Sequence, residues 1–445
     1  MPHRQSNLSL NTFLIPLFII GALSFGLAPT VWLYASQTEV FALNNLLVSL
    51  LLILCVWLFR DPTSPKRVYT CAFFAGFAAT NQLTSFLFVV PFVLHLYTST
   101  NGDLLNVRSL LAQAVAFALG LSPYLRLVTL SSRMNARSWG DQTTLQGWLR
   151  HILRREYGTF QLQVKGNTSS EGNLYRLVVY LQHLMKESSY VGAVLFLIGV
   201  YSLLNAYRHS QDKAQTSIGK PKKSRHQSAL LAFVSAYGFY VLVFVALNRM
   251  SLTPLNRGVQ ERFWPQPYMI VCILASVGLK IMANKIRLAK ALAALFVLAY
   301  LMNGMETRDW SQATTIDAYG RAVLQDMPTN SIMLLQGDAI YNVVTYLQHC
   351  EGLRRDVSIL HLSLMKANWF MERQSQHFPL VRFPTGARRY RPSSDGIQPA
   401  CRECGEYNLA DFFEANRYYS PMFVCFMGAR HNLPQEEYGP AITVR

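Results

Sequence analysis

Apolar runs close to the length of a bilayer crossing constrain this chain more than any other feature. They cover Asn11–Thr30, Phe41–Phe59, Ser109–Leu127, Tyr190–Leu204, Leu230–Leu247, Tyr268–Lys280 and Leu292–Met302. A helix needs roughly 20 such residues to cross the hydrocarbon core. Several runs approach that length, and the shorter ones are weaker signals taken singly. Only 15% of the 445 residues are charged, where a soluble domain carries roughly 25%. The formal charge of +17 would suggest nucleic acid in a soluble protein, but here the basic residues crowd into connecting segments. Arg208, Lys213, Lys220, Lys222, Lys223 and Arg225 face one acid, Asp212, and two further basic turns hold Lys280, Lys285, Arg287, Lys290 and Arg60, Lys66, Arg67. Basic short loops mark the cytosolic side, so these charges imply orientation and no nucleic-acid partner. His3 and Arg4 ahead of the first run, with small residues at Gly26–Ala28, leave a signal peptide as a competing reading of that run.

The stretch Arg67–Tyr97 is mostly apolar but interrupted by Thr80, Asn81 and Gln82. A single crossing there would place two basic loops on the wrong side, whereas two short crossings meeting near Asn81 keep the charge bias. The expected fold is thus an α-helical polytopic membrane protein of about nine spans with a C-terminal luminal α/β domain. The divisions are membrane spans over 1–130, a luminal loop with an interfacial helix over 131–189, membrane spans over 190–304, and the luminal domain over 305–445. Asn167-Thr168-Ser169 is an N-glycosylation pattern in the loop read as luminal, although Asn7-Leu8-Ser9 has the same pattern on the side read as cytosolic. In the tail, Ser331–Leu335 and Val357–Leu362 read as strands, and Ile340–Leu353, Asn368–Gln374 and Tyr407–Asn416 as helices, a parallel α/β pattern. Cys55, Cys71 and Cys272 fall in or near spans, where a small apolar role suits them. Cys350, Cys401, Cys404 and Cys425 would meet an oxidising lumen and are disulfide candidates. No metal is expected, because Cys401-Arg-Glu-Cys404 lacks a second ligand pair.

The long loop carries the chemistry. Leu145, Trp148, Leu149, Ile152 and Leu153 share one helical face while Arg150, His151, Arg154 and Arg155 lie largely elsewhere, the pattern of a helix in the membrane plane. Arginines at headgroup depth beside carboxylates suit a transferase that holds a lipid phosphate while a base activates an acceptor. The same residues fit a plainer account in which Asp141 caps the helix and the arginines meet anionic lipid. Glu39 follows the first span beside Asn44 and Asn45, where a carboxylate is costly unless paired. Glu261-Arg262 reads most simply as a local ion pair or a snorkelling anchor, with a lipid-phosphate role for Arg262 as the functional alternative.

Three stretches carry a family resemblance: Thr38-Glu39-Val40-Phe41-Ala42-Leu43-Asn44-Asn45, the block from Trp139 to Phe160, and Gly258-Val259-Gln260-Glu261-Arg262-Phe263-Trp264. Cys350-Glu351-Gly352-Leu353-Arg354, Asp356-Val357-Ser358 and Phe423-Val424-Cys425 extend it. In order and spacing they resemble the transmembrane protein 260 family of protein O-mannosyltransferases, similar in turn to the GT-C glycosyltransferases. The resemblance implies mannose transfer from dolichyl-phosphate mannose to Ser or Thr of IPT domains in receptor ectodomains such as plexins, at the endoplasmic reticulum membrane. The partners would be membrane lipid, the lipid-linked sugar and acceptor protein domains, with no further cofactor. It implies Glu39, Asp141 and Glu156 as the carboxylates to consider for catalysis, and Gln142, Arg154, Arg155, Tyr157, Glu261 and Arg262 for substrate contact. The family's acidic Gly-Asp-Ser-Gly-Glu-Leu loop and its C-terminal extension are expected to be missing, and Asn81-Gln82-Leu83-Thr84 stands where the family has Asn-Gln-His-Thr. The competing classes are a multi-span transporter or lipid flippase, which should show charges inside spans and internal repeats, and a non-catalytic membrane scaffold.

Overall fold

The computed structural model describes residues 19–37, 39–100, 104, 106–133, 139–155, 171–216, 225–248, 250–285, 298, 302, 305, 309, 311–392 and 402–426. The chain forms two compact units, Met1–Arg126 with Arg154–Asp309, and Leu127–Leu153 with Trp310–Arg445. Residues 139–153 therefore group with the C-terminal tail.

After a helical stretch over 19–26 come α1 (Pro29–Ala35), α2 (Val40–Arg60), α3 (Pro65–Asn81), α4 (Phe86–Ser99), α5 (Val107–Gly120), α6 (Pro123–Ser132), α7 (Leu145–Ile152), α8 (Asn173–Glu187), α9 (Val191–Thr216), α10 (Arg225–Leu247), α11 (Pro254–Glu261) and α12 (Pro265–Lys285). Prolines open α1, α3 and α11, where the missing N–H costs nothing. In the first unit α3 meets α5 at Gly76 and Gly120, and α9 meets α12 at Gly199 and Gly278. A Cβ at any of the four would overlap a carbonyl of the facing helix, from Phe117, Phe73, Leu274 and Leu195 respectively. Between membrane helices, where lipid is as apolar as leucine, such close backbone approach is what holds the pair together. An aromatic core fills the remaining space: Phe41 lies edge-on to Phe263 at 5.0 Å, and Phe88 stacks on Tyr240 at 4.8 Å.

Among the described residues three helices are long and apolar enough to cross a membrane, Val40–Arg60, Val191–His209 and Pro265–Ala283, or four if the bent pair Val107–Gly120 and Pro123–Ser132 is one span. This is fewer than the nine expected, for local reasons. Arg67–Tyr97 does break at Asn81, where α3 ends and a turn over Leu83–Ser85 leads into α4, so neither half reaches full length, and Pro91 lies inside α4. Ser109–Leu127 bends at Pro123. The runs Asn11–Thr30 and Leu292–Met302 lie largely outside the described residues.

In the second unit the tail folds as α13 (Thr315–Gln325), β1 (Ile332–Gln336), α14 (Asp338–His349), β2 (Ser358–His361), α15 (Leu362–Met365), α16 (Asn368–Gln374), β3 (Arg389–Tyr390), β4 (Glu406–Tyr407), α17 (Leu409–Asn416) and β5 (Met422–Phe426). The main sheet is parallel, in the order β2-β1-β5. Ile332 and Leu334 point into one core with Trp369, Phe370 and Phe412, while Met333 and Leu335 point into another with Leu324, Ile340 and Leu347. A strand covered on both faces reads as a continuous apolar run, which is why β1 stood out in the sequence. Gly337, at φ 114°, turns the chain from β1 into α14 through a conformation closed to side-chain-bearing residues. Arg354 ties the far edge, bonding Asp356 at 2.8 Å and the carbonyls of Leu324 and Pro328 at 2.9 Å.

Of the disulfide candidates, Cys350 and Cys425 depart from expectation. Cys404 is disulfide-bonded, Cys401 lies outside the described residues, and Cys350 and Cys425 are free thiols. Cys350 is exposed at the end of α14, whereas Cys425 points inward from β5 to Tyr319 Oη at 3.2 Å. Opposite exposures keep these two from pairing with each other.

Candidate functional site

In the first unit the residues that open α2 and α12 meet. Glu39 precedes α2, and both of its carboxylate oxygens contact Arg262 Nη1, at 2.7 and 2.9 Å. Both groups remain about one-third exposed. The aromatic contact of Phe41 with Phe263 continues the same seam one step inward. Tyr34 Oη donates to Gly258 O at 2.8 Å, and its pKa is pushed up to about 12 by burial and then by Glu261, with Arg262 opposing. It stays a neutral hydroxyl.

Glu261 does not pair with its neighbour Arg262, as the adjacency suggested. On α11 it faces back one turn, accepting from Arg257 Nε at 2.8 Å, because residues four apart share a helix face and adjacent ones do not. Its Oε1 also lies 3.9 Å from His183 Nδ1. His183 sits on α8 against the Trp264 ring, centroids 4.5 Å apart, one turn before Glu187. Burial, helped by Arg257 and Lys186, lowers its pKa to about 4, which outweighs the carboxylates 3.8 and 3.9 Å away and leaves the ring neutral at pH 7. Thr30 Oγ1 donates to Glu187 Oε2 at 2.8 Å and Thr30 N to Oε1 at 2.9 Å. With the Thr30 proton so committed, the 3.2 Å contact to His183 Nε2 assigns Nε2 as the ring's N–H donor. Both Glu187 oxygens thus accept from Thr30 in the first turn of α1, where backbone N–H groups lack helical partners. A small cavity lined by Thr30, Tyr180, His183, Glu187, Trp264 and Tyr268 lies here.

Sequence reasoning missed Tyr34, Thr30, His183, Glu187 and Arg257. The signal for two of them was available: His183 and Glu187 are four apart just before the apolar run Tyr190–Leu204, where a carboxylate is costly without a partner.

The second unit holds Asp141 and Gln142. Asp141 Oδ1 accepts from Thr143 N, Thr143 Oγ1 and, at 2.5 Å, Arg373 Nη2. Arg373 also bonds Thr143 Oγ1 at 2.6 Å and the Ser131 carbonyl at 3.1 Å. Asp141 does not cap α7; Thr144 does, accepting from Gly147 N at 3.0 Å. Gln142 is buried, bonded to Trp139 O at 2.6 Å and to His151 Nδ1 at 3.2 Å. On the apolar face of α7, Leu145 is 71% and Leu149 40% exposed, while Trp148, Ile152 and Leu153 are half-buried. Arg154 belongs to the first unit, where it reaches Gln82 Oε1 at 3.4 Å, and Arg155 is exposed. Glu156, Tyr157 and Asn167 lie outside the described residues.

Comparison with known proteins places these positions. Residues 3–105, which include Glu39 and Gln82, match the family model described as the Protein O-mannosyl-transferase TMEM260 N-terminal domain, and residues 316–379, which include Arg373, match TMEM260-associated domain 2. The chain is 31% identical over 446 residues to the Protein O-mannosyl-transferase tmem260 of Dictyostelium discoideum, covering 91% of this chain and 51% of that protein. It is 32% identical over 426 residues to the Protein O-mannosyl-transferase TMEM260 of Mus musculus, covering 92% of this chain and 57% of that protein. The chain spans about half the length of these curated relatives. No solved structure matches it. By two matched domains and by similarity along nine-tenths of its length, the chain is similar to the TMEM260 family of protein O-mannosyl-transferases.

Proposed function

We propose that this chain forms the membrane-embedded body of a protein O-mannosyltransferase of the GT-C kind, in the endoplasmic reticulum membrane. Its topology is the nine-span arrangement read from the basic loops, with the Trp139 block, Asn167 and the α/β tail in the lumen. The donor is dolichyl-phosphate mannose, and the acceptor is a Ser or Thr hydroxyl of an IPT domain in a receptor ectodomain such as a plexin. The observation that carries the reading is the Glu39–Arg262 pair at the mouth of α2 and α12, in a chain similar along nine-tenths of its length to proteins named for this activity.

In this reading the acceptor hydroxyl attacks the anomeric carbon as the bond to the phosphate oxygen breaks. The hydroxyl proton passes to a carboxylate, and the carrier leaves as dolichyl phosphate with an added negative charge. Arg262, whose Nη1 alone is engaged by Glu39, and Arg257 one turn earlier meet that charge. Glu39 fixes the guanidinium in place, and Tyr34 keeps its proton beside them. Arg154, Arg155 and Tyr157 attend the carrier headgroup, and α7 rests its leucines in the membrane boundary. Glu39 and Asp141 are each held by an arginine, which suits them to positioning, and the base is one of the carboxylates Glu39, Asp141 and Glu156. Gln142 shapes the loop through Trp139 and His151.

The test reconstitutes the chain in nanodiscs with dolichyl-phosphate mannose and a purified IPT domain and measures protein-linked mannose. Arg262→Ala should lower transfer by about 100-fold, the scale for removing one donor to developing charge, and Arg262→Lys should recover part of it. The reading fails if Arg262→Ala transfers as well as the unaltered chain. It fails too if no transfer is seen either from this chain or from the mouse relative carrying this chain's aligned region in place of its own.

A further inference from the structure

Helix α8 has three sides. At 100° per residue, Arg176, Val179, Tyr180, Leu184 and Glu187 fall in one arc and are buried in the helical unit. Leu174, Val178 and Leu181 fall in a second arc and are 76%, 40% and 45% exposed. Gln182 and Lys186, beside Tyr175, fall in a third and are exposed as well. A helix on a water-soluble surface needs two sides only, apolar inward and polar outward, and a helix crossing the bilayer has no use for an exposed polar arc midway along it.

The chain beyond α8 says what covers the second arc. Ser189 and Tyr190, both in the left-handed region at φ 50° and 59°, turn the backbone directly into α9. That candidate span is only 28% buried by protein, and it presents Val194, Leu197 and Tyr201 at 52%, 62% and 70% exposure. The bare apolar stripe of α8 is thus joined through one tight turn to the bare apolar face of a membrane helix. Tyr175 and Tyr190, 56% and 57% exposed, are residues of the type that gathers at the boundary between headgroups and acyl chains, and Lys186 can extend its ammonium to lipid phosphate.

We infer that α8 lies in the plane of the membrane boundary, with acyl chains against Leu174, Val178 and Leu181, headgroups and water against Gln182 and Lys186, and the helical unit against its third side. The consequence for the site is depth: His183 and Glu187, carried on the inner arc, lie at the level of lipid phosphates. The inference stands apart from the catalytic reading, since it needs only that the chain is in a bilayer.

Nitroxide labels placed singly at 174, 178, 181, 182 and 186, in a chain without its free thiols and held in phosphatidylcholine–phosphatidylglycerol vesicles, test it by collision with oxygen and with a water-soluble nickel chelate. Oxygen should dominate at 174, 178 and 181, and nickel at 182 and 186, alternating along one helix. In parallel, the unaltered chain in vesicles doped with an acyl-chain diazirine lipid should show carbene insertion at Leu174, Val178 and Leu181 and none at Gln182. Nickel dominance at all five positions overturns the inference, as does oxygen dominance at all five. Immobilised labels whose spin–spin broadening grows with protein-to-lipid ratio also overturn it, because a second copy would then cover the stripe.

Discussion

Removing the Arg373 side chain should loosen the Trp139 block from the tail that holds it. One guanidinium there reaches Asp141 at 2.5 Å, Thr143 Oγ1 at 2.6 Å and the Ser131 carbonyl at 3.1 Å, with the Arg373 side chain 11% and the Asp141 side chain 25% exposed. Breaking a fully buried ion pair by deleting one partner costs roughly 3–5 kcal/mol, mostly from the charge left behind. Asp141 keeps water on a quarter of its surface and two bonds from Thr143, so the cost here falls to about 2–4 kcal/mol. Arg373→Lys should recover less than half, since an ammonium cannot span three acceptors in one plane. The assay is thermal unfolding in detergent of the chain carrying Cys350→Ser, read through the reaction of its buried thiols, Cys425 among them, with a fluorogenic maleimide. Combining Arg373→Met with Asp141→Asn closes a double-mutant cycle, whose coupling should be about 1–2 kcal/mol. Strict additivity, or an Arg373→Ala loss within about 0.5 kcal/mol, would refute the argument that this pair anchors the loop.

Other outcomes follow from the same reasoning. His183 has a folded-state pKa of about 4 against an ordinary 6.5, so the unfolded chain takes up a proton in that window that the folded chain refuses. Its contribution is complete above about pH 6.5 and declines as the pH falls toward 4, by up to about 3 kcal/mol. Unfolding measured from pH 7 to 4.5 should lose this slope in His183→Asn, and an unchanged slope would discount the burial argument. Gly199→Leu should destabilise by at least about 2 kcal/mol through overlap with the Leu274 carbonyl, whereas the same change at Gly238, where nothing lies within 4 Å, should cost less than half as much. Native-state maleimide should label Cys350 quickly and leave Cys425 unmodified until denaturant is added, and equal rates would contradict the opposite exposures of the two thiols.

Much of the architecture is legible in residue order because it rests on local chemistry. The break at Asn81 shows as three polar residues inside an apolar stretch, and the helix Asn368–Gln374 falls where its apolar spacing predicts. β1 is visible because both of its faces are buried. The two-residue β3 and β4 are not visible, since so short a strand acquires its identity from the partner it pairs with, and β5, no shorter than β1, is not among the strands read from the sequence. Tyr407 illustrates the limit: helical spacing assigns it to a helix, but pairing with β3 makes it a strand residue, and the helix begins only at Leu409, behind the Asn408–Asp411 capping box.

What the sequence by itself determined is the class of solvent each segment requires and the positions where helices must begin or break, because apolar length, proline and charge act over a few residues. Which charges meet was decided only by the tertiary structure. Glu39 and Arg262 are 223 positions apart, and Asp141 and Arg373 are 232 apart. A carboxylate near a membrane boundary must find water, hydrogen-bond donors or a cation, and helix packing selects which one.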